Sequence, residues 1–162
     1  FVLTFIKFPL PFIPPYLTLD FSDVPTLLAT FLLSPIAGII VALIKNILNF
    51  LFNIGDPVGP VANFLAGVSF LLSSYYVYRK RKNNRSLIYG LITGTIVMTI
   101  VLSILNYFVL LPLYGMIFNL GDVLNNVKIV IVSGVIPFNL IKGIIISIIF
   151  VLLFRRLRHI IK

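Results

Sequence analysis

The stretch PIAGIIVALIKNILNFLFNI, residues 35–54, decides the fold class. It has about the 20 mainly apolar residues that a helix needs to cross a bilayer. The whole chain has the same character, because 60% of its 162 residues are hydrophobic and only 10% are charged. A soluble domain is about 45–50% apolar and about 25% charged. These values predict an all-α integral membrane protein with residues 1–162 in a single transmembrane domain.

Helix breakers and charges divide the rest of the chain into further apolar segments. We predict helices at residues 24–33, 61–78, 87–113 and 137–154. The first of these is too short to cross a bilayer. Pro137 is expected to start the last helix, because proline is favoured in the first turn. Residues 114–134 are predicted to form a longer connection of mixed character that is partly helical.

The chain opens with FVLTFI, which is apolar but too short to cross a membrane. We expect residues 1–8 to be the end of a first helix, because they lack the basic region and cleavage site of a signal peptide. The predicted architecture is therefore a bundle of six transmembrane helices. In this bundle the first helix is truncated and the second is short.

The basic residues orient this bundle. Nine of the 13 lysines and arginines lie in two clusters, at residues 79–85 and 155–162. Both clusters fall on one side of a six-helix bundle. The positive-inside rule assigns that side, and with it both termini, to the cytoplasm. Contact with lipid headgroups explains these clusters better than binding to nucleic acid, since no aromatic residues are interleaved with them. The four acidic residues all fall in connections on the opposite side: Asp20, Asp23, Asp56 and Asp122.

In this topology KFPLPFIPPYLTLDFSDVP, residues 7–25, is the first external loop. Its prolines restrict the backbone, and Pro14-Pro15 favours an extended course. A stiff, aromatic loop above a helical bundle predicts a lid that closes one side of a pocket and shields a ligand from water. The alternative is a plain surface connector.

Polar side chains are predicted to gather beneath this loop, in the outer third of the bundle. Lys142 lies about 7–8 Å into the last helix at 1.5 Å per residue, and Asn139 shares its face. Asn106 and Asn63 reach the same depth from other helices. A lysine inside a membrane span is costly, which makes it a functional candidate. The alternative for the asparagines is contact between helices.

Three further polar residues lie in the outer half of the helix at residues 35–54. For Asn46 and Asn49 we prefer the interpretation that they join helices. For Lys45, snorkelling or pairing with an external aspartate is an equal alternative to a functional role.

Other function classes fit this sequence less well. A proton- or sodium-coupled porter usually needs acidic groups inside its spans, and none is predicted here. No Gly-rich segment ends in the GK[ST] of a nucleotide-binding loop. Cysteine is absent, and the one histidine, His159, lies in a basic tail, so no ligand cluster for a metal is evident. Asp20 and Asp23 are expected to bond the local backbone rather than to act as a catalytic pair. We therefore predict that the protein is not an enzyme.

Four stretches resemble one family of small membrane proteins. They are PYLTLDFSDVP at 15–25, SPIAGIIVALIKNILNF at 34–50, GPVANFLAG at 59–67 and PFNLIKG at 137–143. The pattern LxLDxSDxP, combined with the Lys-Asn pair of the second stretch, is the most telling feature. Over essentially its whole length the chain resembles the riboflavin-specific substrate-binding S components of energy-coupling factor (ECF) transporters.

This resemblance implies a high-affinity riboflavin-binding subunit of an ATP-driven vitamin uptake transporter in the bacterial cell membrane. It implies a transmembrane coupling protein and two cytoplasmic ATPase subunits as partners, with riboflavin as the transported ligand and no cofactor. The motif with which the family docks its coupling protein would lie before Phe1. The ligand contacts implied by the resemblance are Thr18, Asp20, Asn106, Asn139 and Lys142, with Asn63 as a weaker candidate.

Three alternatives remain open at this point. An S component for another vitamin is the nearest one, and an anionic vitamin could use Lys142. A stand-alone secondary porter for a small solute would have to carry out uptake without partners. A purely structural membrane subunit would bind no ligand tightly.

Overall fold

The structure is a computed structural model that describes residues 2–4, 6, 8–9, 17–52, 55–117 and 125–160. Several features expected from the sequence lie outside these residues. They are the Pro14-Pro15 pair with most of the expected lid, Asp122, Lys162 and the side chain of His159.

The described residues form five helices. Helices α1, α2 and α3 cover Asp23–Leu32, Pro35–Phe52 and Val58–Tyr78. Helix α4 covers Asn84–Ile117 and contains a π-helical turn at Asn106–Leu110. Helix α5 consists of Val127–Val130, a second π-helical turn at Ile131–Val135, and Ile136–Ile160. All of them except α1 are long and apolar enough to cross a membrane.

The predicted all-α membrane class is confirmed, but the count of six helices is not, because the described residues form five. Val2–Thr4 is a short 3-10 turn. Phe8–Pro9 (β1) is extended and pairs antiparallel with Thr18–Leu19 (β2). The expectation that residues 1–8 end a helix is therefore wrong at Phe8, which lies in β1. The physical reason is local, since a residue that precedes proline is biased towards extended backbone.

The last helix begins earlier than predicted, at Val127 instead of Pro137. The expected connection at 114–134 is therefore helical at both of its described ends. Proline in a helix lacks an N–H and clashes with the carbonyl four residues before it. Here Pro137 follows the π-helical turn Ile131–Val135, whose wider spacing relieves that clash. Pro112 stands in the same relation to the turn Asn106–Leu110.

Helices α1 and α2 form a tight hairpin. The Ser34 hydroxyl accepts a hydrogen bond from the Ala37 N–H at 3.1 Å, and Pro35 occupies the first helical position, where its missing N–H costs nothing. Gly38 lies directly against Thr30, and a side chain at residue 38 would collide with the Thr30 hydroxyl. This register places the start of α1 level with the middle of α2.

Helices α3 and α4 also pack closely. Asn83 caps α4, because its side chain accepts a hydrogen bond from the Ser86 N–H at 2.7 Å while the Ser86 hydroxyl accepts one from the Asn83 N–H. Two turns further on, Gly90 and Gly94 face Ser74 of α3. Small residues of this kind let helix backbones approach one another in a membrane.

The chain reverses direction at each connection, so opposite charges collect at opposite ends of the bundle. The described acidic residues lie in the half of the bundle where α2 ends and α3 begins, which we call the acidic end: Asp20, Asp23 and Asp56. The basic residues 79–85 and 155–156 lie at the other end, the basic end. An aromatic cluster closes the core near the basic end, with ring centroids 5.0–6.4 Å apart: Phe31, Tyr75, Tyr78, Phe150 and Phe154.

The contact at Gly90 generates a stability prediction. A Cβ atom at Gly90 would lie 2.5 Å from the backbone carbonyl oxygen of Ser74, which cannot move without shifting α3. We expect Gly90→Ala to lower the free energy of unfolding by about 1–3 kcal/mol through overpacking. Thermal unfolding in detergent micelles measures the change. Gly55→Ala is the matched control, because nothing lies within 4 Å of a Cβ there. Equal stability of the two variants would contradict the packing described here.

Candidate functional site

A narrow cleft opens at the acidic end of the bundle. Its empty space is about 680 Å³ including the mouth. The apolar part of its wall includes Leu17, Ala62, Ala66, Leu102 and Phe138. The polar part consists of Thr18, Asn49, Asp56, Asn63, Asn106, Tyr114, Asn139 and Lys142. Apolar walls with a few convergent polar groups are typical of small-molecule sites.

A second, more open groove lies on the outer face of α4 and α5. Its wall is almost wholly apolar and includes exposed isoleucines such as Ile92, Ile96 and Ile148. A surface of this composition suits the hydrocarbon core of a membrane. Because it offers few polar groups for orienting a ligand, we take the cleft at the acidic end as the candidate site.

Lys142 is the central cation of the cleft and is almost completely buried. Its ammonium nitrogen lies 3.0 Å from Oδ2 of Asp23 and donates to Oδ1 of Asn63 at 3.2 Å. These contacts join α5 to the start of α1 and to α3. A buried ammonium group needs such partners, because taking a charge out of water is expensive.

Asp23 binds a second lysine with its other oxygen. Oδ1 of Asp23 forms an ion pair with Nζ of Lys45, which also donates to the Ser22 hydroxyl at 2.7 Å. The Ser22 hydroxyl in turn donates to the Asp20 carboxylate, which also accepts from the Ser22 N–H at 2.8 Å. The result is a continuous buried network of two lysines and two aspartates. Its formal charges cancel, which is what burial requires.

Asn106 and Asn139 occupy similar places in their helices, because each lies at or near a π-helical turn that precedes a proline. Asn106 opens the turn in α4, and Asn139 lies just after the turn in α5. Each donates one amide hydrogen to the carbonyl four residues earlier, Leu102 at 2.7 Å and Val135 at 2.8 Å. No other described residue bonds the two amide oxygens. Each asparagine therefore retains both a donor and an acceptor for the cleft.

Asp56 and Tyr114 close the opposite part of the wall. The Tyr114 hydroxyl lies 3.0 Å and 3.1 Å from the two carboxylate oxygens of Asp56. Asp56 also caps α3 by accepting from the N–H groups of Val58 and Gly59 at 3.2 Å and 2.8 Å. These contacts fix the α2–α3 turn against the end of α4. The Asp56 carboxylate is thereby engaged on both of its oxygens.

The structure brings together five of the six residues predicted for the site. Thr18, Asn63, Asn106, Asn139 and Lys142 all line the cleft. Asp20 does not line it, because its buried carboxylate is turned to Ser22. The role of all six residues in ligand binding stays a prediction.

One acidic residue is more deeply placed than the sequence indicated. The four helices long enough to cross a membrane have no acid among their described residues, as expected, but Asp23 is the first residue of the short helix α1 and is only 2% exposed. Pairing of Lys45 with an aspartate, one of the two alternatives for that residue, is confirmed. Sequence reasoning also missed Asn49, Asp56 and Tyr114 as residues of the wall. The signal for Asp56 was its place between helix ends, where carboxylates commonly cap helices.

The chemistry of the cleft suits the binding of an uncharged, polar-edged molecule. Its asparagines and Thr18 supply neutral donors and acceptors, while Lys142 supplies a cationic donor whose charge is already compensated. Within the described ranges no group of histidine, cysteine or acidic residues could hold a metal ion.

Comparisons with known proteins place the chain in a family. Residues 1–154 match the family described as ECF transporter, substrate-specific component. The chain is 73% identical over 162 residues to the riboflavin transporter RibU of Staphylococcus aureus (strain TCH60), covering 100% of this chain and 86% of that protein. It is 43% identical over 164 residues to the riboflavin transporter FmnP of Bacillus subtilis (strain 168), covering 98% of this chain and 85% of that protein.

A solved structure has the same fold. It is described as "Structure and mechanism of the S component of a bacterial ECF transporter" and superposes with a TM-score of 0.87 at 68% sequence identity. The match covers 99% of this chain and 89% of the solved one. Multi-pass membrane helices, a family match over nearly the whole chain and this superposition lead to one conclusion: the chain belongs to the family of substrate-specific components of ECF transporters.

Proposed function

We propose that this chain is the high-affinity riboflavin-binding subunit of an ATP-driven vitamin uptake transporter, and that riboflavin binds in the cleft at the acidic end. The observation that carries the proposal is the convergence of Thr18, Asn106, Asn139 and Lys142 on one narrow cleft, in a chain 73% identical to a riboflavin transporter. Asn63 belongs to the same site through its bond to Lys142. Asp20 lies next to the cleft wall rather than in it, and its carboxylate accepts hydrogen bonds from Ser22.

Riboflavin matches the cleft in its combination of apolar and polar groups. Its ring system is flat and largely apolar, which suits the apolar part of the wall at Leu17, Leu102 and Phe138. Its ring edge and its ribityl hydroxyls need neutral donors and acceptors, and asparagine offers both kinds. An enzymatic role receives no support, because the family consists of transporter components.

The charge distribution supports an external position for the site. The basic end is cytoplasmic by the positive-inside rule, which leaves the acidic end and its cleft on the extracellular side. Both termini are then cytoplasmic. Leu17 and Thr18, the end of the first external loop, form part of the cleft wall, so the ligand would bind beneath that loop. We propose that residues 1–162 form one transmembrane domain of the bacterial cell membrane.

Uptake against a gradient requires partners. The sequence has no nucleotide-binding loop. Membership of the ECF family supports a transmembrane coupling protein and two cytoplasmic ATPase subunits as the source of energy. Riboflavin is the transported ligand, and no cofactor takes part.

The buried Asp23 is one observation in favour of a secondary porter, since such porters use acidic groups inside the membrane. The contacts of Asp23 disfavour that role. Both carboxylate oxygens are held by lysines, so a proton or a sodium ion would have to displace an ion pair before it could bind. The same pairing disfavours an anionic vitamin, because the charge of Lys142 is already compensated.

The binding proposal predicts the effect of two substitutions. Asn106→Ala and Asn139→Ala should each weaken riboflavin binding about tenfold or more, because polar groups of the bound ligand would lose their partners at a cost of about 1–3 kcal/mol. Quenching of flavin fluorescence on the purified protein gives the dissociation constants. Asn46→Ala is the matched control, since Asn46 makes the same bond to the carbonyl four residues earlier but lies outside the cleft. Wild-type protein that binds no riboflavin at micromolar concentration would refute the proposed function.

The partner requirement yields a transport prediction. Vesicles that contain this chain alone should not accumulate riboflavin against a gradient, with or without a proton gradient across the membrane. Vesicles that also contain a coupling protein and ATPases of an ECF transporter should accumulate it when ATP is supplied. Radiolabelled riboflavin measures the uptake. Accumulation by the chain alone would support the secondary porter instead.

A further inference from the structure

We propose that Asp23 is a positioning residue for Lys142 and the counter-ion that makes the cleft select uncharged ligands. The inference rests on the proposed function, because it concerns how riboflavin is recognised at the same site. Asp23 does not line the cleft itself, whereas Lys142 does. Its action on a ligand must therefore pass through Lys142.

The geometry of Lys142 limits what it can offer to a ligand. An ammonium group has three hydrogens and no acceptor. In the structure one is directed to Oδ2 of Asp23 at 3.0 Å and another to Oδ1 of Asn63 at 3.2 Å. One N–H remains for the cleft. Asp23 thus holds the nitrogen in place and sets the direction of the remaining donor.

The two lysines on Asp23 provide an internal comparison. Lys45 binds Oδ1 and lies outside the cleft, while Lys142 binds Oδ2 and is part of its wall. Both side chains are at most 4% exposed, so both depend on the same carboxylate for compensation. Removal of Lys45 disturbs the network without touching the wall. Removal of Lys45 therefore separates two roles of Asp23. A merely structural role predicts a loss of riboflavin affinity in that variant, and a positioning role predicts none.

The charge of the network has a consequence for ligand choice. Lys45 and Lys142 contribute two positive charges, and Asp20 and Asp23 contribute two negative ones, so the network is neutral. A neutral site of low dielectric constant does not compensate the charge of an anion. Asp23→Asn keeps the shape and the oxygen acceptor but leaves a net charge of one positive unit. This variant should therefore favour an anionic flavin more than wild-type protein does.

A double-mutant cycle tests the positioning role. Riboflavin dissociation constants are measured for wild type, Asp23→Asn, Lys142→Met and the double variant. Lys142→Met leaves Asp23 paired with Lys45, so that variant keeps a compensated carboxylate. We expect Asp23→Asn to weaken binding about tenfold in the presence of Lys142 and less than about twofold in its absence, since interactions through a shared partner are not additive. Equal losses in both backgrounds would overturn the proposal.

Lys45→Met is the matched control. It should lower the midpoint of thermal unfolding, because it removes a buried ion pair, and it should leave riboflavin affinity within about threefold of wild type. A loss of affinity as large as that of Asp23→Asn would mean that the network matters only for stability, and would overturn the positioning role.

The second readout is the preference between riboflavin and riboflavin 5′-phosphate. The ratio of their affinities should shift about tenfold towards the phosphate in Asp23→Asn relative to wild type, because one buried negative charge has been removed. In Lys142→Met the ratio should shift towards riboflavin, because a buried positive charge has been removed. An unchanged ratio in Asp23→Asn would overturn the counter-ion role.

Asp23→Glu replaces Asp23→Asn if the latter does not fold. It keeps the charge and displaces the oxygens by one methylene, so riboflavin binding should weaken with Lys142 present and stay the same with Lys142→Met. Equal weakening in both backgrounds would again overturn the proposal. Failure of the proposed function would look different, because wild-type protein itself would then bind no riboflavin.

Discussion

The buried carboxylate of Asp23 is the interaction on which the rest of the structure depends. It joins the start of α1 to Lys45 of α2 and Lys142 of α5. Breaking a buried ion pair by removal of one partner typically costs about 3–5 kcal/mol. Because Asp23 is buried, α2 and α5 must pack so that Lys45 and Lys142 reach its carboxylate. The same network reaches Asp20 through Ser22, which ties the end of the first loop to the bundle.

The short length of α1 makes room for both the network and the cleft. Its 10 residues span about 15 Å, half of the hydrocarbon core of a bilayer. The helix starts at Asp23, level with Lys45, and the chain before it continues as Thr18–Leu19 in extended form. A full-length helix in this position would extend into the space that Leu17 and Thr18 now border. The half helix thus brings a charge into the bundle and leaves its acidic end open to a ligand.

Much of this arrangement follows from the sequence, and the point where prediction failed is instructive. The apolar segments, the breaker at Ser34-Pro35 and the polar layer of Asn106, Asn139 and Lys142 were all evident. Asp23 was assigned to a loop because the apolar run begins at Val24, one residue later. Counting from the hairpin turn would have corrected this, since Asp23 lies nine residues before Leu32 and Lys45 ten residues after Pro35. The π-helical turns were beyond such reasoning, because a proline inside an apolar run also fits a helix start.

Those two turns explain why the asparagines of the cleft are well placed. A proline inside a helix ordinarily costs about 3 kcal/mol, yet Pro112 and Pro137 each follow a π-helical turn that accommodates them. Asn106 and Asn139 are bound to the backbone of these same regions through their own amide hydrogens. Their side chains are therefore oriented by helices rather than by loops. Groups held on rigid elements lose little conformational entropy when a ligand binds, so helical irregularity at this depth favours tight binding.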